Sequence, residues 1–168
     1  MKSLILLRHA KSDWNTDFQR DHERPINDRG VRASKTVGRF LARAGEVPAL
    51  VVTSSAVRAR TTVELAAQAG EWQTSIEVTG ALYEASDEAV LEVIHGLSED
   101  SEGVLLAGHE PTWSSMVQRL TGARAKVVTA TMVRIDLGVS RWQDVSFGLG
   151  TLVWSVSPKL LQRAGLGD

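Results

Sequence analysis

The sequence predicts a three-layer α/β/α sandwich with a mostly parallel central sheet, built as a single domain over residues 1–168. Two observations carry this. Apolar runs of strand length alternate four times with amphipathic stretches of helix length, the pattern of successive strand–helix units. No internal repeat, low-complexity tract or Pro/Ser-rich linker interrupts them, so nothing in the pattern calls for a second domain. A chain of 168 residues is also long enough for one core, burying roughly 70% of the surface its unfolded form would expose.

The elements follow in order. Leu4–Leu7 is a buried-strand run, and a helix from about Val31 to Ala44 carries Val31, Val37, Phe40, Leu41 and Ala44 on one face until Gly45 stops it. Leu50–Val52 is the second strand; Thr53, Ser54 and Ser55 form a cap region for a helix running to about Ala69, closed by Gly70. Ile76–Val78 reads as a short third strand. Ser86 or Asp87 caps a helix bearing Val90, Val93, Ile94 and Leu97, and Val104–Ala107 is the fourth strand. Pro111 opens the next helix, since proline fits a first turn. Beyond Val127, alternating apolar residues at Met132–Leu137 and Leu152–Val156 predict two closing strands paired antiparallel, with Trp142 and Trp154 packing there.

Composition removes several function classes. The chain has no cysteine, which excludes disulfides, thiolate nucleophiles and cysteine-ligated metals. Nineteen basic against twenty acidic residues give a net charge of −1, so no long-range attraction to nucleic acid or a membrane is expected. The opening apolar run ends at Arg8 after four residues, too short for an export signal or a membrane span. A cytoplasmic protein is the expectation, of unassigned oligomeric state. The polar stretch Arg8–Arg29 between the first strand and first helix is long for a connection, and such loops are commonly functional.

In an open α/β sheet, ligands bind beyond the carboxyl ends of the strands. Those ends deliver Arg8 and His9, then Ser54, Ser55 and Arg58, then Glu84, then Gly108 and His109. The set suits a phosphate. Arginine's planar fork binds phosphate oxygens in pairs, helix N-termini add amide donors, and imidazole serves as nucleophile or acid near neutral pH. Any one of these residues alone would ordinarily be a solvated or structural side chain; their coincidence at several strand ends favours function. His95 sits on an apolar helix face and reads as a satisfied or surface histidine. His22, among Asp21, Glu23 and Arg24, is expected to be exposed unless the long loop folds over a pocket. Lys11 reads as a solvated charge. A metal site from His9, His22 and Asp13 lacks any paired-histidine spacing, so neither metal nor cofactor is expected.

With these residues in place, the chain resembles the histidine phosphatase superfamily, and within it the SixA-like phosphohistidine phosphatases. Leu6-Leu7-Arg8-His9-Ala10-Lys11-Ser12-Asp13-Trp14-Asn15 is similar to the family's opening Arg-His signature, with Ala10 where many members have glycine. Ser54-Ser55-Ala56-Val57-Arg58-Ala59-Arg60-Thr61-Thr62 resembles its Ser-Pro-Leu-x-Arg-Ala-x-x-Thr element, departing at Ser55 and Ala56. Gly108-His109-Glu110-Pro111 is similar to the Gly-His-x-Pro motif, and Arg24-Pro25-Ile26 with Arg29-Gly30 looks like the branch's Arg-Pro-Leu and glycine turn.

The resemblance spans about Leu4 to Leu120. It implies a phosphoglycerate mutase-like fold in which His9 forms a phosphohistidine intermediate while Arg8, Arg58 and His109 surround the phosphoryl group. Ser12, Asn15 and Arg24 would add oxygen contacts. For such attack, one His9 ring nitrogen must be free while the other donates, as to a backbone carbonyl. Glu84 is the candidate general acid. An ester leaving group needs such an acid, whereas phosphohistidine leaves as imidazole, with a conjugate acid near 6.5, and needs it far less. Glu84 could instead be a first-turn helix carboxylate or an ion-pair partner of Arg58. The expected activity is thus a metal-independent phosphatase acting on phosphohistidine in a protein. The alternatives are a small-molecule phosphomonoesterase using Glu84 and a non-catalytic phosphate- or phosphoprotein-binding module, which would not require both histidines.

Overall fold

The computed structural model describes residues 1–168. Its elements are β1 (Ser3–Arg8), α1 (Asp28–Ala44), β2 (Leu50–Ser54), α2 (Val57–Ala69), β3 (Ser75–Thr79), α3 (Asp87–His95), β4 (Gly103–Gly108), α4 (Thr112–Thr121), β5 (Met132–Asp136), β6 (Thr151–Val156) and α5 (Pro158–Arg163). The six strands form one sheet in the order β3-β2-β4-β1-β5-β6. The first four run parallel, and β5 and β6 close the edge antiparallel, as the alternation at Met132–Leu137 and Leu152–Val156 predicts.

Because strand side chains alternate between faces, each central strand feeds two cores. Leu4, Leu6, Val52, Val104 and Leu106 face α3 and α4, packing with Val90, Ile94, Trp113 and Met116. Ile5, Leu7, Val51, Leu105 and Ala107 face the other way, onto Val37 and Leu41 of α1, Val63 and Ala66 of α2 and Leu161 of α5. Both faces of the sheet are therefore covered. No helix is long and apolar enough to cross a membrane.

Several expected boundaries move. Thr53 and Ser54 belong to β2, and the N-cap of α2 is Ala56, which offers no capping side chain. Pro111 is the N-cap of α4 rather than part of its first turn, and Leu97 lies past the end of α3. Ser86 does cap α3, accepting from Ala89 N–H. Trp142 and Trp154 do not share a core. Trp154 on β6 meets Phe40 edge-on, whereas Trp142 lies between β5 and β6 and packs into the opposite core. Helix α5 is short and was not legible; Ser157 caps it and Pro158 opens it.

The helices α1 and α2 meet at Gly38. A Cβ there would stand 1.8 Å from the Ala66 carbonyl oxygen, while the Trp72 indole N–H donates to the Gly38 carbonyl at 3.2 Å. Backbone on backbone leaves nothing flexible to yield. Gly38→Ala should therefore force the helices apart and cost about 3 kcal/mol, the upper part of the usual overpacking range. A thermal melt should show it as a drop of roughly 6–12 °C for a chain of this size.

Candidate active site

The carboxyl ends of β1, β2 and β4 meet at the middle of the sheet. His9 is held by its backbone on both sides: its N–H donates to Gly108 O at 3.0 Å, and Ala130 N–H bonds the Arg8 and His9 carbonyls at 3.0 and 3.1 Å. The Thr62 hydroxyl on α2 accepts from Ala10 N–H at 3.0 Å and donates to Arg58 O at 2.6 Å. That single side chain ties the turn after His9 to the helix turn that carries Arg58.

His9 is 6% exposed. Its Nδ1–H donates to the Ala10 carbonyl at 2.7 Å. A carbonyl only accepts, so the neutral ring is protonated at Nδ1 and its Nε2 lone pair is free. Burial lowers the His9 pKa to about 4, with Arg58, Arg8 and Arg24 pushing the same way against the Ala10 bond. His109 lies with its ring centroid 5.3 Å away. Arg58 donates to its Nδ1 at 3.4 Å, so its Nε2–H donates to the Ser54 hydroxyl at 2.8 Å. Ser54 Oγ also accepts from Ala56 N–H. Burial, then the neighbouring His9 and Arg58, lower His109 to about 3, with Asp21 opposing. Both folded-state values lie below the ordinary 6.5 of histidine, so both rings stay neutral until the pH falls towards those values. Imidazole resonances of His9 and His109, followed by NMR, should therefore stay still between about pH 8 and 5 and titrate only below that.

Three guanidinium groups approach these rings. Arg58 and Arg24 are 5% and 7% exposed, and Arg8 is half-buried, its NH1 donating to Val127 O at 3.1 Å. Burial lowers Arg8 from its ordinary value, with Glu110 opposing. The Nε atoms of Arg8 and Arg58 are buried without a partner. Asp21 is the one carboxylate bonded to this group. Its Oδ1 accepts from Arg24 at 2.9 Å, and its Oδ2 accepts from Arg58 at 3.0 Å and from Tyr83 at 2.9 Å. The Asp21 carbonyl takes a further Arg58 bond at 2.8 Å. Partial burial acts upward on Asp21, yet Arg24, Tyr83 and Arg58 hold it at about 2. Three arginines against one carboxylate leave a net positive site, suited to a tetrahedral anion.

Arg8, His9, Arg58 and His109 are thus brought together as expected from the strand ends, and Arg24 joins them through Asp21. Ser12 is nearby in the chain but buried in a bridge with Ile26, its carbonyl accepting from Asn27. Asn15 is exposed and lines a separate surface hollow with Asp13, Trp14 and Arg29. Glu84 is exposed on the rim of a cleft of about 450 Å³ that Asp21, Arg58, Tyr83, His109 and Thr112 also line. It is neither in the first turn of α3 nor the ion-pair partner of Arg58; Asp21 takes that place because the long loop folds back onto Arg58 of α2. His22 is not a free loop histidine: it lies 2.9 Å from the Ser55 hydroxyl and edge-on to Tyr83. His95, as expected, is satisfied, donating to Val145 O at 2.8 Å. The sequence does not single out Asp21, Thr62 or Tyr83 as site residues, although Thr62 closes the Ser54–Thr62 motif and Asp21 stands in the Asp21-His22-Glu23-Arg24 charge cluster.

The histidine phosphatase superfamily (branch 1) matches the chain over residues 4–88. An uncharacterized protein of Mycobacterium leprae is 34% identical over 161 residues, covering 88% of this chain and 96% of that protein. Among solved structures, one from Nakamurella multipartitia assigned as a phosphohistidine phosphatase SixA is 25% identical, with a TM-score of 0.78 over 92% of this chain and 95% of that one. The protein histidine phosphatase SixA complexed with tungstate superposes with a TM-score of 0.81 at 23% identity, over 95% and 99% of the two chains. The architecture is the phosphoglycerate mutase-like fold of these neighbours.

Proposed function

The chain belongs to the histidine phosphatase superfamily, and on that premise we propose that it is a metal-independent phosphatase that passes the phosphoryl group through His9 and takes phosphohistidine in a protein as substrate. The observation that carries this reading is the Nδ1–H donation of His9 to Ala10 O. It leaves a neutral ring with a free Nε2, the form that can attack phosphorus. Nε2 forms a bond to phosphorus as the bond to the substrate's imidazole nitrogen breaks, and the substrate ring, carrying a proton on its other nitrogen, leaves as neutral imidazole. Arg8, Arg58 and His109, with Arg24 behind Asp21, hold the equatorial oxygens and balance their charge. Water then attacks the phosphorus, the bond to His9 breaks, one water proton is released or carried on phosphate, and the ring returns to its starting state. An imidazole leaving group needs little acid help, in keeping with a site whose one bonded carboxylate is held ionised.

The position of Glu84 on the cleft rim favours a second reading, hydrolysis of small phosphate esters with Glu84 as acid. Turnover of a phosphohistidine-bearing protein and of p-nitrophenyl phosphate separates the two. The first reading expects a strong preference for the protein and an effect of Glu84→Gln within a few fold. A preference for the ester, with Glu84→Gln lowering its turnover by about 10²-fold or more as loss of a general acid does, would overturn it.

A further inference from the structure

A groove of about 570 Å³ runs between α1 and α5, lined by Lys11, Arg29, Arg32 and Lys159 over Val128 and Thr129. Through Arg32 and Gln162 it continues into a second hollow edged by Lys35 and Arg39. None of these six cations takes part in an ion pair, and Asp168 at the far end is the one acidic residue lining either hollow. Arg29, Arg32, Lys35 and Arg39 recur at three- and four-residue spacings, so they form one ladder about 15 Å long at 1.5 Å rise per residue. Like charges at that spacing destabilise a helix; Asp28 opens the helix, but no acid stands between Arg29 and Arg39 to offset the ladder. The chain carries a net charge of −1, so this concentration of positive charge is local.

The groove's near end is built by the segments that hold the catalytic histidine. Lys11 follows His9 by two residues, and Val128 and Thr129 lie between Val127, which holds Arg8, and Ala130, which holds the Arg8 and His9 carbonyls. We propose that this groove is the docking surface for the acidic face of the protein substrate, which lies along α1 while its phosphohistidine reaches His9. The proposal rests on the phosphatase reading for the phosphoryl group and adds the class of partner. The ladder is too long for a single phosphate monoester to engage. Nucleic acid is disfavoured because the chain as a whole is not basic. Complementary charge of this kind acts chiefly on encounter rate and selectivity, and weakens with salt.

The test uses the full chain, with the three-site variants Arg32→Gln/Lys35→Gln/Arg39→Gln and Arg32→Glu/Lys35→Glu/Arg39→Glu, none of which touches the phosphate site. Fluorescence anisotropy reads binding of a labelled ten-residue polyglutamate and of a ten-nucleotide oligo-dT. Kinetics read turnover of an acidic phosphohistidine-bearing protein and of p-nitrophenyl phosphate. Wild type should bind polyglutamate more tightly than oligo-dT at low salt. The glutamine variant should weaken peptide binding and kcat/KM on the phosphoprotein at least tenfold, the glutamate variant further, with ester turnover within twofold. Unchanged peptide binding, tighter oligo-dT binding, or an ester loss as large as the phosphoprotein loss would overturn the proposal. Peptide binding needs no catalysis. A wild-type chain that binds polyglutamate through these residues but releases phosphate from neither substrate would refute the phosphatase reading and not the groove.

Discussion

His9→Ala should abolish both the phosphoenzyme and turnover. Incubation of wild type with a radiolabelled phosphohistidine protein, quenched during turnover, should leave label on the chain, and the variant should retain none. Steady-state kcat/KM should fall by about 10⁴-fold or more, the scale on which removing a nucleophile from a cooperating set is felt. The fold should survive, because the ring's polar bond is to the carbonyl of the next residue, and the backbone bonds of His9 to Gly108 and Ala130 do not involve the side chain. With Arg8, Arg24 and Arg58 still in place, the variant should continue to bind phosphate. Binding without label is therefore the signature expected of the variant. Absence of label on wild type as well would make the chain a phosphate-binding module instead.

Arg58→Ala should cost about 10²–10³-fold in kcat/KM, or roughly 2.7–4 kcal/mol, the loss typical when one preorganised donor to a developing charge is removed. Arg58 is buried, and its fork links the Asp21 carbonyl and carboxylate to His109 Nδ1. Truncation removes a positive charge beside the phosphoryl oxygens and the donor that keeps His109 in its Nε2–H form. Asp21 would keep Arg24 and Tyr83 as partners, so the thermal midpoint should move far less than activity. Arg58→Lys restores charge without the planar fork and should recover part of the loss. Equal activity in all three proteins would remove Arg58 from the reaction.

How much of this was legible follows from distance along the chain. Arg8 with His9, Arg58, and His109 could be picked out because each sits within a few residues of a strand's carboxyl end, and strand ends are read from short-range apolar periodicity. Asp21 could not. It lies in the long loop, and its place depends on the Ser12–Ile26 bridge and the Asn27 N–H bond to Lys11 O, which fold the loop back onto a helix 37 residues further on. The same non-local placement decides one reading of Glu84. It follows the third strand and stands exposed on the rim of the cleft, while the carboxylate that pairs with Arg58, a place the sequence also allowed to Glu84, comes from another segment.

The sequence by itself thus determined the alternation of strands and helices, the parallel core of the sheet and the four residues at its centre, because local periodicity specifies elements and elements specify where their ends point. Tertiary structure alone decided the rest. The free His9 nitrogen, the Ser54–His109 bond, the single carboxylate among three arginines and the cationic groove between α1 and α5 all depend on through-space distances. Tautomers, burial and charge balance are properties of neighbours in space, and those neighbours lie tens of residues apart in the chain.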